Sequence, residues 1–272
     1  MHPVLFEIGG FSATSYGTAL VVAFAVGIAV AARRARARGL DPERIIDAGI
    51  LILLTSLLGS RLLWIATHSA HVAEQGGVLA AVLPWGDGRR FGLVGLSMQG
   101  GIAFGIATAL AYLRWRRVPL LPAVDVMAPS VALGEGITRI GCFLNGCCHG
   151  LVCAWPIGVR FPEASPAVQH FGDVPVHPAQ LYASASSFAI FALLSAALRR
   201  RPFDGAVVCA WLVLMSLSRI AVDAFRYYEP SVTLFAVGPL PFTVNSAVAV
   251  ALLAAGVLGF VWLAARRQPG SA

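Results

Sequence analysis

The sequence predicts an all-α polytopic membrane protein with about seven transmembrane helices, its N-terminus outside and its C-terminus in the cytoplasm. Three observations support this fold class. Of 272 residues, 58% are hydrophobic and only 12% are charged, which is too little polar surface for a soluble domain of this size. Apolar runs of about 20 residues recur from end to end. Arginines cluster after every second run, where residues that set membrane topology are found.

Seven apolar runs are each long enough to cross about 30 Å of hydrocarbon as a helix. The predicted spans cover residues 14–32, 45–66, 93–113, 119–140, 179–198, 205–225 and 241–264. No soluble-looking block separates them, so we expect a single membrane domain over residues 1–272. The first run has no basic segment before it, so we expect a retained helix rather than a cleaved signal peptide.

Four arginine clusters set the predicted orientation. They follow the first, third, fifth and seventh spans: Arg33, Arg34, Arg36 and Arg38; Arg114, Arg116 and Arg117; Arg199, Arg200 and Arg201; Arg266 and Arg267. Because positive residues mark cytoplasmic connections, the N-terminus is expected outside. The connection over 141–178 then lies outside, and it is long enough to form a small extracytoplasmic cap. Topology also accounts for the net charge of +7, so nucleic acid is not expected as a partner.

An ionisable residue inside a predicted span costs at least about 2.5 kcal/mol unless it has a partner or a function, and four such residues stand out. Glu135 and Arg139 are four residues apart, as are Arg219 and Asp223, and Arg226 lies on the face of the second pair. One interpretation is two structural ion pairs. The other is a phosphate site, because both arginines are predicted near the outer headgroup level and a guanidinium can hold phosphate oxygens bidentately.

Further polar residues are predicted at the same level of the membrane. They are Tyr16 at the start of the first span, Gln99, Gly100 and Gly101 near the outer end of the third, and His177, Gln180 and Tyr182 at the start of the fifth. A single Tyr or His at this level is usually an interfacial anchor, and a GG-x-x-x-G pattern usually packs helices. Their convergence on one leaflet favours a site that meets a lipid headgroup and a partner arriving from outside.

Four sequence patches resemble the bacterial prolipoprotein diacylglyceryl transferase family. Residues 138–150 read T-R-I-G-C-F-L-N-G-C-C-H-G and are similar to the family pattern G-R-I-G-N-F-I-N-G-E-x-x-G. The patch S-Y-G at 15–17 lies in the first span, and H-P-A-Q-L-Y at 177–182 is similar to H-P-[ST]-Q-L-Y. R-I-A-V-D-A-F-R at 219–226 is similar to R-x-x-V-E-F-F-R. The resemblance covers nearly the whole chain.

This resemblance implies an enzyme of the bacterial cytoplasmic membrane that needs no cofactor or metal. It would transfer diacylglycerol from phosphatidylglycerol to the lipobox cysteine of a prolipoprotein, or of another secreted acceptor, and release glycerol phosphate. Arg139 and Arg219 would hold the lipid phosphate and stabilise its charge. The residues expected to line the site are Tyr16, Gly100, Gly101, Glu135, Asn145, Gly146, Gly150, His177, Gln180, Tyr182, Asp223 and Arg226.

The chain departs from the family pattern where protons are handled. The family's H-G-G-L-I-G appears here with Gln99 first, and an amide cannot act as a base at neutral pH. Cys142 stands at a family Asn, Cys147 at a family Glu, and Met215 at a family Tyr. A non-catalytic phospholipid-binding or lipoprotein-binding protein on the same scaffold is therefore the alternative. A transporter is the third and least favoured hypothesis. It would need polar residues through the whole depth of the membrane, and those of this chain cluster in the outer half.

Four cysteines follow the fourth predicted span. They are Cys142, Cys147, Cys148 and Cys153, with His149 among them. Disulfides suit an oxidising exterior, so we expect at least one pair among the four. A zinc site is an alternative, although the usual separation of paired ligands is missing. A third possibility is that His149 or a thiolate near Arg139 replaces the missing base, because a nearby cation lowers the pKa of a thiol.

Overall fold

The computed structural model describes residues 2–8, 11–68, 72, 97–163, 165–228, 233–237 and 240–266. Its helices are α1 (Ser15–Ala37), α2 (Pro42–Thr67), α3 (Met98–Trp115), α4 (Leu120–Asn145), α5 (Pro166–Phe171), α6 (Ala179–Arg199), α7 (Ala206–Asp223) and α8 (Val244–Ala265). Its strands are β1 (Val4–Ile8), β2 (Phe11–Thr14), β3 (Thr233–Val237) and β4 (Leu240–Thr243). The described part of the chain is therefore mainly helical, with a short hairpin before α1 and another before α8.

A helix occupies each of the seven predicted spans. Six of them, α1, α2, α4, α6, α7 and α8, are long and apolar enough to cross a membrane. The remaining one, α3, has 18 residues, includes Gln99 and Arg114, and is not among these six. Residues 93–96 of that predicted span lie outside the described residues. The prediction of an all-α polytopic membrane protein is confirmed, and six of its spans meet this test within the described ranges.

Two antiparallel hairpins were not predicted. Strands β1 and β2 pair before α1, and β3 and β4 pair before α8. In the second hairpin the rings of Phe235 and Phe242 stack 4.6 Å apart. Thr243 ends β4 and caps α8 by a reciprocal pair of hydrogen bonds with Ser246. Each hairpin therefore leads directly into a membrane helix.

The chain divides into two compact units. The larger contains Met1–Pro3, Ser15–Gly27 and Val124–Ala272, and the smaller contains Val4–Thr14 and Ile28–Ala123. A single domain over 1–272 stays a prediction. In the larger unit α7 packs against both α6 and α8.

Asp125 orders the start of α7 within the larger unit. Its side chain is fully buried in the first turns of α4. One carboxylate oxygen accepts a hydrogen bond from the backbone N–H of Gly205, and the other accepts one from Val208, each at 2.8 Å. Arg201 lies 3.6 Å from the same carboxylate. Asp125 thus acts as a cap supplied from a distant part of the sequence for N–H groups that the helix cannot satisfy itself.

Glycines allow α2 and α3 to approach closely in the smaller unit. A Cβ on Gly100 would collide with the backbone of Gly59, and one on Gly101 would lie 2.5 Å from the hydroxyl oxygen of Ser60. Across the same pair of helices, the hydroxyl of Tyr112 donates to Asp47 at 2.9 Å. The glycines of the GG-x-x-x-G pattern therefore pack α3 against α2 in the structure.

The fourth span ends later than predicted. Helix α4 continues to Asn145. The next residue, Gly146, has a left-handed backbone with φ of 77°, which stops the helix there. The cap segment, residues 146–178, follows it. The segment has a small apolar core of Phe161, Ala167 and Val176, with Phe143, Val159, Val168 and Phe171 packed around it.

Candidate functional site

Two predicted arginines are each held by a carboxylate on the same helix. On α4, Arg139 contacts one oxygen of Glu135 through Nη2 at 2.9 Å and through Nε at 3.1 Å. On α7, the Nε of Arg219 lies 3.1 Å from the buried carboxylate of Asp223. Both pairs have the four-residue separation that brings side chains together on one helix face. The carboxylates fix the directions in which the guanidiniums point.

Tyr228 joins the second pair and was missed in the sequence. The Nη2 of Arg219 donates to the hydroxyl of Tyr228 at 2.8 Å, and that hydroxyl donates to Asp223 at 2.7 Å. Burial raises the pKa of Tyr228 to about 12, so the hydroxyl keeps its proton at neutral pH. The one available signal was a tyrosine two residues after Arg226, which could also have been an interfacial anchor.

Arg226 lies near both Tyr228 and Cys148. Its guanidinium carbon is 5.0 Å from the ring centre of Tyr228, beside the hydroxyl that Arg219 contacts. The charges of Arg226 and Arg139 also both act on the thiol of Cys148. Arg226 thus shares Tyr228 with Arg219 and Cys148 with Arg139, and we call these three arginines the arginine cluster. The buried Nε of Arg226 has no hydrogen-bond partner among the described residues.

The chain after α4 forms a strand-like segment that ties the arginine cluster to the start of α6. Leu151 N–H donates to Phe225 at 2.9 Å, and Gly150 N–H donates to His177 at 3.0 Å. A Cβ on Gly150 would lie 2.5 Å from the carbonyl oxygen of His177 and 2.6 Å from that of Phe225. Only glycine fits between these two backbones, so Gly150 has a packing role here.

A tight turn precedes this segment. Gly146 and Cys148 both have positive φ, at 77° and 61°. The side chain of Gln180 is buried and donates to the carbonyl oxygen of Cys147 at 2.6 Å. Asn145, the last residue of α4, directly precedes the turn, and its side chain lies close to the Cys147 thiol. The predicted residues Asn145, Gly146 and Gln180 therefore shape and hold the turn.

His177 and Tyr182 contact each other at the start of α6. The Nδ1 of His177 lies 3.1 Å from the hydroxyl of Tyr182, and both rings contact Phe225. Trp155 of the cap segment meets His177 edge-on at 5.9 Å. This aromatic group anchors the cap segment to the end of α7.

His149 is enclosed by rings. It stacks on Tyr227 with 5.5 Å between ring centres and lies 5.4 Å from His170. Neither ring nitrogen has a hydrogen-bond partner among the described residues. Burial, and then the neighbouring His170, lower the pKa of His149, so its imidazole is neutral at pH 7.

The remaining predicted residues fall into two places. Tyr16, near the start of α1, is close enough to Arg139 and to the thiols of Cys142, Cys147 and Cys148 for their charges to act on its hydroxyl. Gln99, Gly100 and Gly101 belong to the smaller unit, in the first turn of α3. There the hydroxyl of Ser97 donates to the side-chain oxygen of Gln99 at 3.1 Å.

Three of the four clustered cysteines lie together. The sulfurs of Cys142, Cys147 and Cys148 are all within 4.8 Å of one another. Hydrogen bonds with the other two thiols, then the charges of Arg226 and Arg139, lower the pKa of Cys148. Cys153 is buried elsewhere in the cap segment, 3.8 Å from the carbonyl oxygen of Trp155. All five cysteines of the chain are free thiols in the structure, so the expected disulfide stays a prediction.

These features define a polytopic helical membrane protein with a partly buried, arginine-lined site beside a cap segment. The chain belongs to the prolipoprotein diacylglyceryl transferase family, whose profile matches residues 3–262. The resemblance carried by the four sequence patches is thereby confirmed.

Relatives with the same name come from cyanobacteria and clostridia. A phosphatidylglycerol–prolipoprotein diacylglyceryl transferase of Parasynechococcus marenigrum is 32% identical over 98% of this chain and 95% of its own length. One of Synechococcus elongatus is 30% identical, over 96% of this chain and 87% of its own. One of Clostridium tetani is 28% identical, over 83% of this chain and 86% of its own. The similarity therefore extends along nearly full-length chains.

Proposed function

We propose that this protein transfers a diacylglyceryl group from phosphatidylglycerol to the cysteine thiol of a lipoprotein-type acceptor. The arginine cluster is the observation that carries the proposal. Three guanidiniums face only two carboxylates, Glu135 and Asp223, so a net positive charge remains for an anion. The buried Nε of Arg226 still lacks an acceptor among the described residues, and a phosphate oxygen would supply one.

The reaction needs charge stabilisation at the phosphate. The acceptor sulfur attacks the glycerol carbon that carries the phosphate, a C–S bond forms, and the C–O bond to the phosphate breaks. The product is a thioether, and glycerol phosphate leaves with the electron pair of the broken bond. The acceptor thiol loses its proton, which balances the negative charge that glycerol phosphate gains when the C–O bond breaks. Preorganised guanidiniums stabilise this developing charge strongly where water is scarce.

Residue roles follow from the contacts. Arg139, Arg219 and Arg226 bind the phosphate, while Glu135, Asp223 and Tyr228 orient the guanidiniums. Gly150, Gln180 and His177 hold the backbone on which Arg226 and Cys148 sit, so their part is positional. Tyr16 is placed to meet the lipid beside Arg139.

The printed names of the relatives support the substrates. Each name joins phosphatidylglycerol with prolipoprotein, the lipid donor and the protein acceptor of this reaction. We place this protein in the bacterial cytoplasmic membrane, with its cap segment on the outer side, where secreted acceptors arrive. That placement agrees with the arginine clusters and with the six apolar helices found among the described residues.

A second candidate function rests on Gln99. Gln99 stands where the family has a histidine, and an amide cannot act as a base. This suits a protein that binds the lipid phosphate without transferring the diacylglyceryl group. The two functions differ in whether a product forms.

Release of glycerol phosphate separates them. Purified protein in vesicles that contain phosphatidylglycerol is mixed with a lipobox peptide or with its Cys-to-Ser version. A transferase releases glycerol phosphate only with the cysteine peptide. Binding of the lipid with no release from either peptide would leave the binding protein as the function.

A further inference from the structure

Cys142, Cys147 and Cys148, the thiol cluster, have the dimensions of a metal site. Their three sulfurs lie within 4.8 Å of one another. In a tetrahedral zinc site with Zn–S bonds of about 2.3 Å, sulfurs are about 3.8 Å apart. Closing the cluster on an ion therefore needs movements of only about 1 Å.

The backbone, rather than chance rotamers, brings the three thiols together. Cys142 lies in the last turn of α4, and the turn after the helix folds back so that Cys147 N–H donates to the carbonyl oxygen of Cys142 at 3.2 Å. The positive φ angles of Gly146 and Cys148 make that reversal. Gln180 then holds the carbonyl oxygen of Cys147 from α6. The ligand positions are thus preorganised.

We propose that the thiol cluster binds one Zn²⁺ through three thiolates. Sulfur ligands select thiophilic ions such as zinc over the hard cations that oxygen ligands bind. Three thiolates and one Zn²⁺ leave one negative charge, and Arg139 and Arg226 are both close enough to act on Cys148. Cys142 is buried and the other two sulfurs are half-buried, which shields the site from competing water.

The fourth coordination position is open to an outside ligand. No further His, Cys, Asp or Glu ligand atom joins the group among the described residues. Three protein ligands with one open position are the arrangement of catalytic rather than structural zinc. An incoming thiol is the ligand class that suits a zinc ion already bound by sulfur.

The identity of that fourth ligand rests on the proposed function. The acceptor cysteine would bind zinc as a thiolate, forming a Zn–S bond while its proton passes to water, because a coordinating thiol is deprotonated. No oxidation or reduction is involved. The bound thiolate would then lie beside the arginine cluster and Tyr16. Zinc would supply the deprotonation that Gln99 cannot.

Zinc content tests the site without any need for turnover. Protein purified with reductant is loaded with zinc, desalted and analysed for metal per chain. We expect about one zinc per chain, and at least a five-fold loss in Cys142→Ser, Cys147→Ser and Cys148→Ser. Cys153→Ser and Cys209→Ser are the matched controls and should keep the zinc. Equal zinc in both groups would overturn the proposal.

Alkylation of the wild-type chain gives the same answer with no substitution, so misfolded variants cannot obscure it. Zinc should slow alkylation of the three cluster thiols at least ten-fold, read residue by residue by mass spectrometry, and leave Cys153 unchanged. Absence of protection would overturn the site. So would a disulfide between two cluster cysteines in the protein as isolated without reductant.

A cobalt-substituted protein tests the fourth ligand. A lipobox peptide should strengthen the sulfur-to-cobalt charge-transfer absorption, and its Cys-to-Ser version should not. An unchanged spectrum with both peptides would overturn the open-position assignment. If zinc and peptide bind as described and no glycerol phosphate is released, the transferase function fails instead, so the two failures are distinguishable.

Discussion

Arg219 and Asp223 are joined twice, directly through the Arg219 Nε at 3.1 Å and indirectly through the hydroxyl of Tyr228. A simple helical ion pair needs only the direct contact. The second connection fixes the guanidinium plane, because two of its nitrogens then have set acceptors. The remaining donors of Arg219 are left pointing in a defined direction for a ligand.

Replacing Tyr228 with Phe removes this second connection and keeps the ring under Arg226. We expect the rate of glycerol phosphate release to fall about ten-fold, which corresponds to about 1.4 kcal/mol of lost transition-state stabilisation. Tyr227→Phe is the control, because among the described residues the Tyr227 side chain has ring contacts and no hydrogen bond. Equal rates in the two variants would remove Tyr228 from the site.

Arg139→Lys keeps the charge and removes the planar fork. Because an ammonium cannot hold Glu135 and two phosphate oxygens together, we expect turnover to fall at least about ten-fold. Arg160→Lys in the cap segment is the matched control, since its pair with Asp173 is exposed. Turnover is measured on vesicles of fixed lipid content. A lysine variant as active as wild type would mean that Arg139 acts by charge alone.

Gly150→Ala tests the packing between the end of α7 and the start of α6. The added Cβ would meet the backbone carbonyl oxygens of His177 and Phe225. We therefore expect the free energy of unfolding to fall by about 1–3 kcal/mol and the melting temperature to drop with it. Gly134→Ala is the comparison, because its Cβ would have no neighbour closer than 3.7 Å. Melting temperatures of both variants in the same detergent decide it. Equal stability would mean that the segment shifts freely.

Asp125→Ala leaves the buried N–H of Gly205 and the partly buried N–H of Val208, at the start of α7, without acceptors. A loss of about 1–3 kcal/mol in the free energy of unfolding is expected. Asp173→Ala removes a carboxylate whose side chain is 72% exposed, and it should cost under about 1 kcal/mol. A denaturant titration of both variants would show the difference, and equal losses would contradict the capping role.

The membrane orientation is a separate prediction. Reporter fusions after Arg38, Arg117, Arg201 and Arg267 should all report the cytoplasm, because positive residues are retained there. The matching fusion within the cap segment, after Glu163, should report the outside. One fusion after an arginine cluster that reports the outside would overturn the span count.

The sequence was most informative where contacts are local. Glu135 with Arg139 and Arg219 with Asp223 follow from helical spacing alone, and both pairs are formed. Tyr228 lies beyond the end of α7, so its contact depends on how the chain turns back. No spacing rule predicts that turn.

The missed contacts depend on distant segments or on the conformation of a turn. Asp125 caps N–H groups 80 and 83 residues away, and nothing in its surrounding sequence indicates them. The approach of the three thiols in the thiol cluster was not predicted, because the sequence lacks pairs of ligands separated by two to four residues. The turn with two positive φ angles brings Cys142 to the adjacent Cys147 and Cys148 instead.

The central claim is transfer to a thiol, and the mass of the acceptor peptide tests it most directly. Protein, phosphatidylglycerol and a lipobox peptide are incubated, and the peptide is analysed by mass spectrometry. We predict a gain of one diacylglyceryl group on the cysteine that resists hydroxylamine, as a thioether does, and none on the Cys-to-Ser peptide. An unmodified cysteine peptide, with protein that still binds phosphatidylglycerol, would contradict the transferase account.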